Sequence, residues 1–449
     1  MLQLNKSILE NYEEAVQHEW LETNGLGGWS GSSVIGCNTR RYHGLLVAAT
    51  VPPAERMNLI SKLDETIIKN DERFELGTNN YGQVISPNGY NYLSSFAKDF
   101  FPEFVYDIEG IKLKKTIAMI HGENTVVIMY EVSKADQSFT LELLPLLSVR
   151  GYHGMMYAND AINRHASFDN NIFKTKAYQG TPDIFIKVPG GNYHEDPQWF
   201  YNFNYSVEQY RGLDFIEDLF THGKFTIELH EGDSIGIIVS TDDPANKDAN
   251  ELLHAEEDRR RELLKGQPDD ETTQQLILAA DQFIVKRGED LKTLIAGYHW
   301  FTDWGRDTMI SLPGLTLTTG RFEDAKKILS AFAKSVSMGM LPNRFQDNGE
   351  APEYNNVDGT LWYFIAVYKY LQHTNDEAFV LNEILPVLKE IIDWHFRGTR
   401  YDIHADEDGL LYAGEEGQQL TWMDARIGTW VVTPRMGKAV EIQALWYNS

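Results

Sequence analysis

Cysteine is almost missing from this chain: Cys37 is the only one in 449 residues. That excludes an intrachain disulfide framework, and a reducing, cytoplasmic setting is the expectation. Basic residues are scarce beside acids, 40 Lys and Arg against 66 Asp and Glu, for a formal net charge of −26. Nucleic acid and anionic membrane surfaces both call for basic patches, so neither is expected as a partner, whereas a neutral ligand is compatible. No run approaches eighteen uninterrupted apolar residues, and Met1 to Trp20 lacks a basic start followed by an apolar stretch. Neither a membrane helix nor a signal peptide is read from that. The 13 histidines are scattered without metal-ligand spacing, so no metal is called for. There is no G-x-S-x-G elbow. Asn24-Gly25-Leu26-Gly27-Gly28 lacks the Lys-Ser/Thr of a phosphate loop and is read as tight turns. No cofactor is implied.

What the chain does have is apolar and aromatic residues, 42% and 12%. Large cores can form, and the length fits two or three domains. Residues 1–243 read as strands. Leu45 to Ala48 and Thr125 to Val132 are apolar runs, and Ile111 to Ile117 begins with the alternation of a half-buried strand. Phe139 to Leu147, Asp183 to Val188 and Phe225 to Ser240 continue the series, with Glu231-Gly232-Asp233 as a hairpin turn inside the last. Strands at short spacing with few helices between them predict an antiparallel sandwich. Residues 244–269 are charged and read as an exposed connecting helix. From Thr272 the period is helical. Leu276, Ile277, Ala280, Phe283 and Ile284 share one face; Phe322 to Val336, Leu361 to Leu371 and Phe379 to Ile392 supply further faces, with Pro386 as a kink. The loops between are long and rich in Trp, Asn, Asp and Gly, the composition of a binding surface built on a helical scaffold.

Those loops carry the candidate chemistry. Tyr298 to Asp307 is dense in aromatics and ends in Trp304-Gly305-Arg306-Asp307; Trp300 and Trp304 could wall a sugar ring, and Arg306 with Asp307 could hold its hydroxyls. Asp307 could equally sit near a helix cap. Asn343 to Asp347 and Glu353 to Asp358 form a second acidic-aromatic group, in which Asp358 could cap the helix starting at Gly359. Thr421-Trp422-Met423-Asp424 is the third. Asp424 beside Trp422 is a candidate general acid or a surface loop residue.

Together these strings resemble bacterial and archaeal glycogen debranching enzymes. Glu19 to Ser30 and Asn38 to Leu46 are similar to the N-terminal domain of that family. Trp304 to Thr308, Asn356 to Trp362, Thr421 to Asp424, Thr433-Pro434-Arg435 and Ala439 to Ile442 are similar to its amylo-α-1,6-glucosidase domain. The resemblance implies an N-terminal antiparallel β-sandwich (1–243), a linker helix (244–269) and a glucoamylase-like (α/α)6 barrel from residue 270. It implies inverting hydrolysis of α-1,6 branch points in glycogen or another branched α-glucan, with Asp424 as proton donor. Trp300, Trp304, Arg306, Asp307, Asp347, Asp358, Trp362, Trp422 and Glu441 are the expected substrate contacts, Arg306 and Asp307 on the terminal glucose. Twelve barrel helices need roughly 200 residues before long loops are added, and residues 270–449 show five or six helical segments. An incomplete barrel is therefore the expectation, with the base toward the barrel's end, Glu441 only a weak substitute, and poor hydrolysis or none by these residues alone. A non-catalytic glucan-binding protein and another (α/α)6 glucosidase, such as a glucoamylase or trehalase, are the alternatives; an accompanying 4-α-glucanotransferase activity is left open.

Overall fold

The computed structural model describes residues 2–345 and 351–449. They form two compact units, Met1–Val51 with Glu55–Gln274, and Pro52–Ala54 with Gln275–Ser449.

The first unit is built on two antiparallel sheets. One has nine strands in the order Leu2–Asn5, Leu93–Lys98, Pro102–Ile108, Ile111–Met119, Thr125–Lys134, Ser234–Ser240, Ile184–Lys187, Ile172–Thr175 and Ala166–Asp169. The other runs Asn192–Asn204, Ile216–Leu229, Phe139–Gly151, Ala54–Lys69, Gly44–Val51, Trp29–Ser33 and Glu19–Thr23, with Glu72–Glu75 paired to the long strand Ala54–Lys69. Residues from both sheets, among them Leu46, Leu63, Phe96, Ile128, Leu141 and Phe225, meet in one core, which defines a sandwich. In Ile111–Met119 the alternation holds at the start, with Ile111 and Leu113 buried and Lys112 exposed, and then gives way to a run buried on both faces.

Two expectations need correction here. Glu231-Gly232-Asp233 does not close a hairpin within one sheet. The strand before it, Ile216–Leu229, belongs to the eight-stranded sheet and the strand after it, Ser234–Ser240, to the nine-stranded one. The turn pairs with the second sheet, Gly232 N–H donating to Val132 O and Val132 N–H to Asp233 O, both at 2.9 Å. Local turn chemistry specifies the reversal but not which sheet receives the chain. The helix Ala249–Leu264 (α1), capped by Asp248, is also less exposed than its composition implies. Leu252 and Leu253 pack on Ile120, Val127, Met129 and Ile238. Its buried Arg260 donates to Glu22 Oε2 at 2.5 Å and to Glu256 Oε1 at 2.9 Å. Glu22 is also paired with Lys98. A charged helix docks here because its charges find partners, something helical periodicity does not register.

The second unit is mainly helical: Glu271–Phe283 (α2), Gly305–Leu312 (α3), Phe322–Ala333 (α4), Asp358–Thr374 (α5), Leu385–Arg397 (α6) and Val440–Tyr447 (α7). Met309, Leu312, Leu329, Phe332, Tyr363 and Ile391 are among the residues of its core. Ile284 is not the end of a helical face. It opens a hairpin, Ile284–Arg287 with Leu291–Leu294, while Leu276 is 65% exposed. The run of β-branched Ile284-Val285 before the turn residues Gly288 and Asp290 was the signal for that hairpin. Pro386 does mark a break. Val380–Ile384 is wound as a π-helical turn ahead of α6, and Pro386 takes a first-turn position in the helix that follows. Proline lacks the N–H that would bond one turn back, so the ladder shifts upstream of it. Among the described residues no helix is long and apolar enough to cross a membrane.

Candidate active site

Three segments of the second unit bring their polar residues together. The first is the start of α3. Gly305 follows Trp304, the N-cap, and an added Cβ there would stand 2.1 Å from Pro342 O. Only glycine lets the chain pass this close, and Gly305 N–H is bonded to Asn343 O at 2.9 Å. Arg306 and Asp307 then fall in the first turn.

The second segment is the start of α5. Asn356, not Asp358, provides the cap contacts: its Oδ1 accepts from Thr360 N–H at 3.0 Å, and its Nδ2 donates to Leu341 O at 3.0 Å. An added Cβ on Gly359 would meet Asn356 Oδ1 at 2.5 Å and Arg306 N at 3.3 Å, so the two helix starts pack directly together. Asp358 is left free to turn toward Arg306. The third segment is the loop carrying Asp424. It is tied to α5 by Val357 N–H donating to Leu420 O at 2.8 Å, and behind it Val357, Leu361, Leu411, Leu420 and Ile442 form a small core.

The guanidinium of Arg306 is the junction. Nε donates to Asp358 Oδ2 at 2.9 Å, and Nη1 lies 3.2 Å from Asp424 Oδ2. Asp358 is buried, its side chain 3% exposed, whereas Asp424 is 40% exposed. Nη2 is buried and makes no hydrogen bond among the described residues. Burial opposes the charge of Arg306, but Asp358, then Asp424 and Asp307, raise its pKa above the usual value. Asp307 shifts the other way for an acid. It is exposed by surface area, yet crowding by protein desolvates its carboxyl and raises its pKa; Asp424 and Asp358 add to this against the pull of Arg306. A raised carboxyl beside an arginine and two further acids is a typical polar site feature.

A second ionic pair borders this cluster. Arg435 Nη2 donates to Glu441 Oε2 at 2.8 Å and Nη1 to Oε1, a bidentate grip, and Nη1 also reaches Thr421 Oγ1 at 3.3 Å. The Arg435 hydrogen bonds hold the Glu441 carboxyl below its ordinary range, with Trp422 as a further donor. The six-residue spacing from Arg435 to Glu441 gave no sequence signal of this grip, because neither helix nor strand periodicity joins them.

The remaining expected contacts are distributed as follows. Trp422 is 56% exposed. Trp304 is half-buried, edge-on to Phe301 with centroids 6.0 Å apart and with Arg344 over its ring at 5.6 Å. Trp300 is half-buried beside His299. Trp362 packs against the helical core. Asp347 lies outside the described residues.

One solved structure of similar fold is a bacterial glucoamylase, determined as a complex with acarbose. That structure superposes with a TM-score of 0.51 at 11% identity, over 86% of this chain and 60% of that one, a likeness of fold. Residues 18–236 match the family description "Glycogen debranching enzyme N terminal", and residues 278–449 match "Amylo-alpha-1,6-glucosidase". The chain belongs to the glycogen debranching enzyme family. It is 29% identical over 233 residues to the glycogen debranching enzyme of Saccharomyces cerevisiae, a match to 39% of this chain and 15% of the yeast protein. The chain thus spans less than two thirds of each of these relatives.

Proposed function

We propose that this chain hydrolyses α-1,6-glucosidic branch points of glycogen or a limit dextrin, with Asp424 as the proton donor. The observation that carries this reading is the convergence of Arg306, Asp358 and Asp424 from three segments on one guanidinium, with an unused buried donor at Arg306 Nη2. Membership of the debranching family and the glucoamylase-like fold support it. The helical unit would be part of an (α/α)6 barrel, and the pathway would be inverting.

In this reading Arg306 and the Asp307 carboxylate bind hydroxyls of the terminal glucose, and Trp304 and Trp422 offer apolar faces to the ring. Asp424, the most exposed carboxylate on Arg306, protonates the glycosidic oxygen. An inverting reaction also needs a base about 6.5–9.5 Å from the acid, with an open lone pair for water. Glu441 does not suit that task, because both of its oxygens are engaged by Arg435. We assign it to the wall of the cleft, as a positioning group for Trp422, and expect turnover by these residues to be slow. A 4-α-glucanotransferase activity finds no separate support in the site.

The test is glucose release from an α-1,6-branched limit dextrin, set beside linear α-1,4 maltooligosaccharides and trehalose. Release from the branched substrate supports the proposal. Release from trehalose or only from linear chains assigns the site to another glucosidase, and binding without release assigns it to a glucan-binding protein.

A further inference from the structure

The first unit carries a groove of its own. It lies on the eight-stranded sheet and encloses about 250 Å³. Its floor is apolar: Leu144 and Leu146 of the strand Phe139–Gly151, Phe200 of Asn192–Asn204, and Tyr81. Leu146 is buried in a small core with Phe203, Tyr205 and Leu219, against which Phe200 and Tyr81 pack. Tyr81 leans on Phe203 with ring centroids 5.1 Å apart. The floor is therefore held in place before any ligand arrives.

The walls are polar, and most of their groups are already fixed. Glu142 lies 2.6 Å from Arg73 Nη2 and 2.7 Å from Lys224 Nζ. Asp64 accepts from Asn79 Nδ2 at 2.8 Å and lies 3.0 Å from Lys62 Nζ. At the exposed rim Gln198 Nε2 donates to Asp196 Oδ2 at 2.7 Å.

Charge narrows the occupant. The lining holds Asp64, Glu65, Glu75, Glu142 and Asp196 against Arg73 and Lys224, five acids to two bases, which repels an anionic ligand. The deeper acids Asp64, Glu65 and Glu142 are each matched to a cation, Glu65 to Lys115 at 2.5 Å. The two that remain, Glu75 and Asp196, are exposed, where solvent and salt screen them and leave little hold on a cationic ligand. What remains is an array of oriented donors and acceptors above an aliphatic and aromatic floor. That arrangement suits a neutral, hydroxyl-rich chain whose C–H faces lie on the rings while its hydroxyls bridge the walls.

We infer that this groove binds a segment of neutral α-glucan, as a site separate from the Arg306 cluster. The hydroxyl chemistry stands on the groove itself; the choice of an α-linked glucan rests on the function proposed above.

The test uses the full chain with maltoheptaose by calorimetry, and with glycogen by retardation in native gels. Arg306→Lys with Asp424→Asn disables the cluster in the second unit and leaves the groove intact. In that background maltoheptaose should still bind. Asp196→Ala with Gln198→Ala, both exposed and safe for folding, should then weaken it about tenfold, and Phe200→Ala should weaken it further. Unchanged affinity in both groove variants overturns the inference while leaving the proposed function standing. Maltoheptaose binding that vanishes on disabling the Arg306 cluster alone also overturns it. If the unaltered chain binds no maltoheptaose at all, both readings fall.

Discussion

Arg306 Nη1 stands 3.2 Å from Asp424 Oδ2 across 118 residues of sequence, and the same guanidinium is anchored from behind by the buried Asp358. The anchor and the working carboxylate thus share one cation. Asp358 fixes the guanidinium plane and so holds Nη1 against the accessible Asp424.

The anchor should be structural as well as functional. Arg306→Ala leaves Asp358 as a buried charge with, among the described residues, one remaining bond, from Gly359 N–H at 2.8 Å. Removing one member of a buried pair costs about 3–5 kcal/mol. Denaturant unfolding of the second unit should show a loss of that order for Arg306→Ala and a smaller one for Arg306→Lys, which keeps the charge but not the fork. Equal stability of all three proteins would separate Asp358 from this role.

Asp307 should behave in the opposite sense. Its carboxyl is raised in the folded chain. A raised acid contributes stability that is present below its unfolded pKa and is lost as pH rises through the folded value. At neutral pH the ionised Asp307 is therefore a cost. Asp307→Asn should leave stability at pH 7 unchanged or slightly higher, while maltose affinity drops about tenfold for one charge-assisted bond. Thermal unfolding and calorimetry on the same preparation check both halves; a variant that binds maltose as tightly as the parent removes Asp307 from the sugar.

In the first unit, Arg260→Ala should strip Glu22 of one of its two cations, with Lys98 still paired to it, and so cost less than the roughly 3–5 kcal/mol of a buried charge left with no partner. Burial would raise Glu22, but Arg260 and then Lys98 override it and hold its pKa below the ordinary value. The sign follows: a depressed carboxyl contributes stability above its unfolded pKa, about 4.3, and loses it as pH falls through the lower folded value. Acid unfolding of the parent chain should thus begin below about pH 4.3, and Glu22→Gln should flatten that limb. An acid limb unchanged in Glu22→Gln would place the transition on other carboxylates.

Gly305→Ala tests the close passage that sets Arg306. With Pro342 O only 2.1 Å from the new methyl, the start of α3 must shift, at about 1–3 kcal/mol. Maltose binding should be lost before the fold is. Retention of full affinity would mean that the passage does not position the arginine.

Much of this was legible in the sequence, and unevenly so. Periodicity revealed the strands around Thr125–Lys134 and the buried face of α4, because each pattern is written in consecutive residues, but on α5 it took in the exposed Tyr368 and missed the buried Tyr363, Val367 and Tyr370. The motif strings placed Arg306, Asp358 and Asp424 among the candidates. What the strings could not show is pairing at a distance. Nothing near Asp358 indicates that Asn356 makes the cap contacts and so frees it for Arg306. Nothing near Glu22 marks a partner at Arg260, 238 residues away. The exchange of sheets at Glu231-Gly232-Asp233 was hidden for the same reason, since tertiary context chose between locally equivalent arrangements, whereas the hairpin after Ile284 did carry a local signal in its β-branched run.

The central claim is that Asp424 donates the proton that releases glucose from an α-1,6 branch. Its most direct test is single-turnover glucose release from a branched limit dextrin by this chain and by Asp424→Asn. Acid catalysis supplies about 10²–10⁴-fold, so the variant should release glucose at least about a hundredfold more slowly while binding the dextrin as the parent does. Equal rates in the two proteins, or no release by the parent, would contradict the assignment.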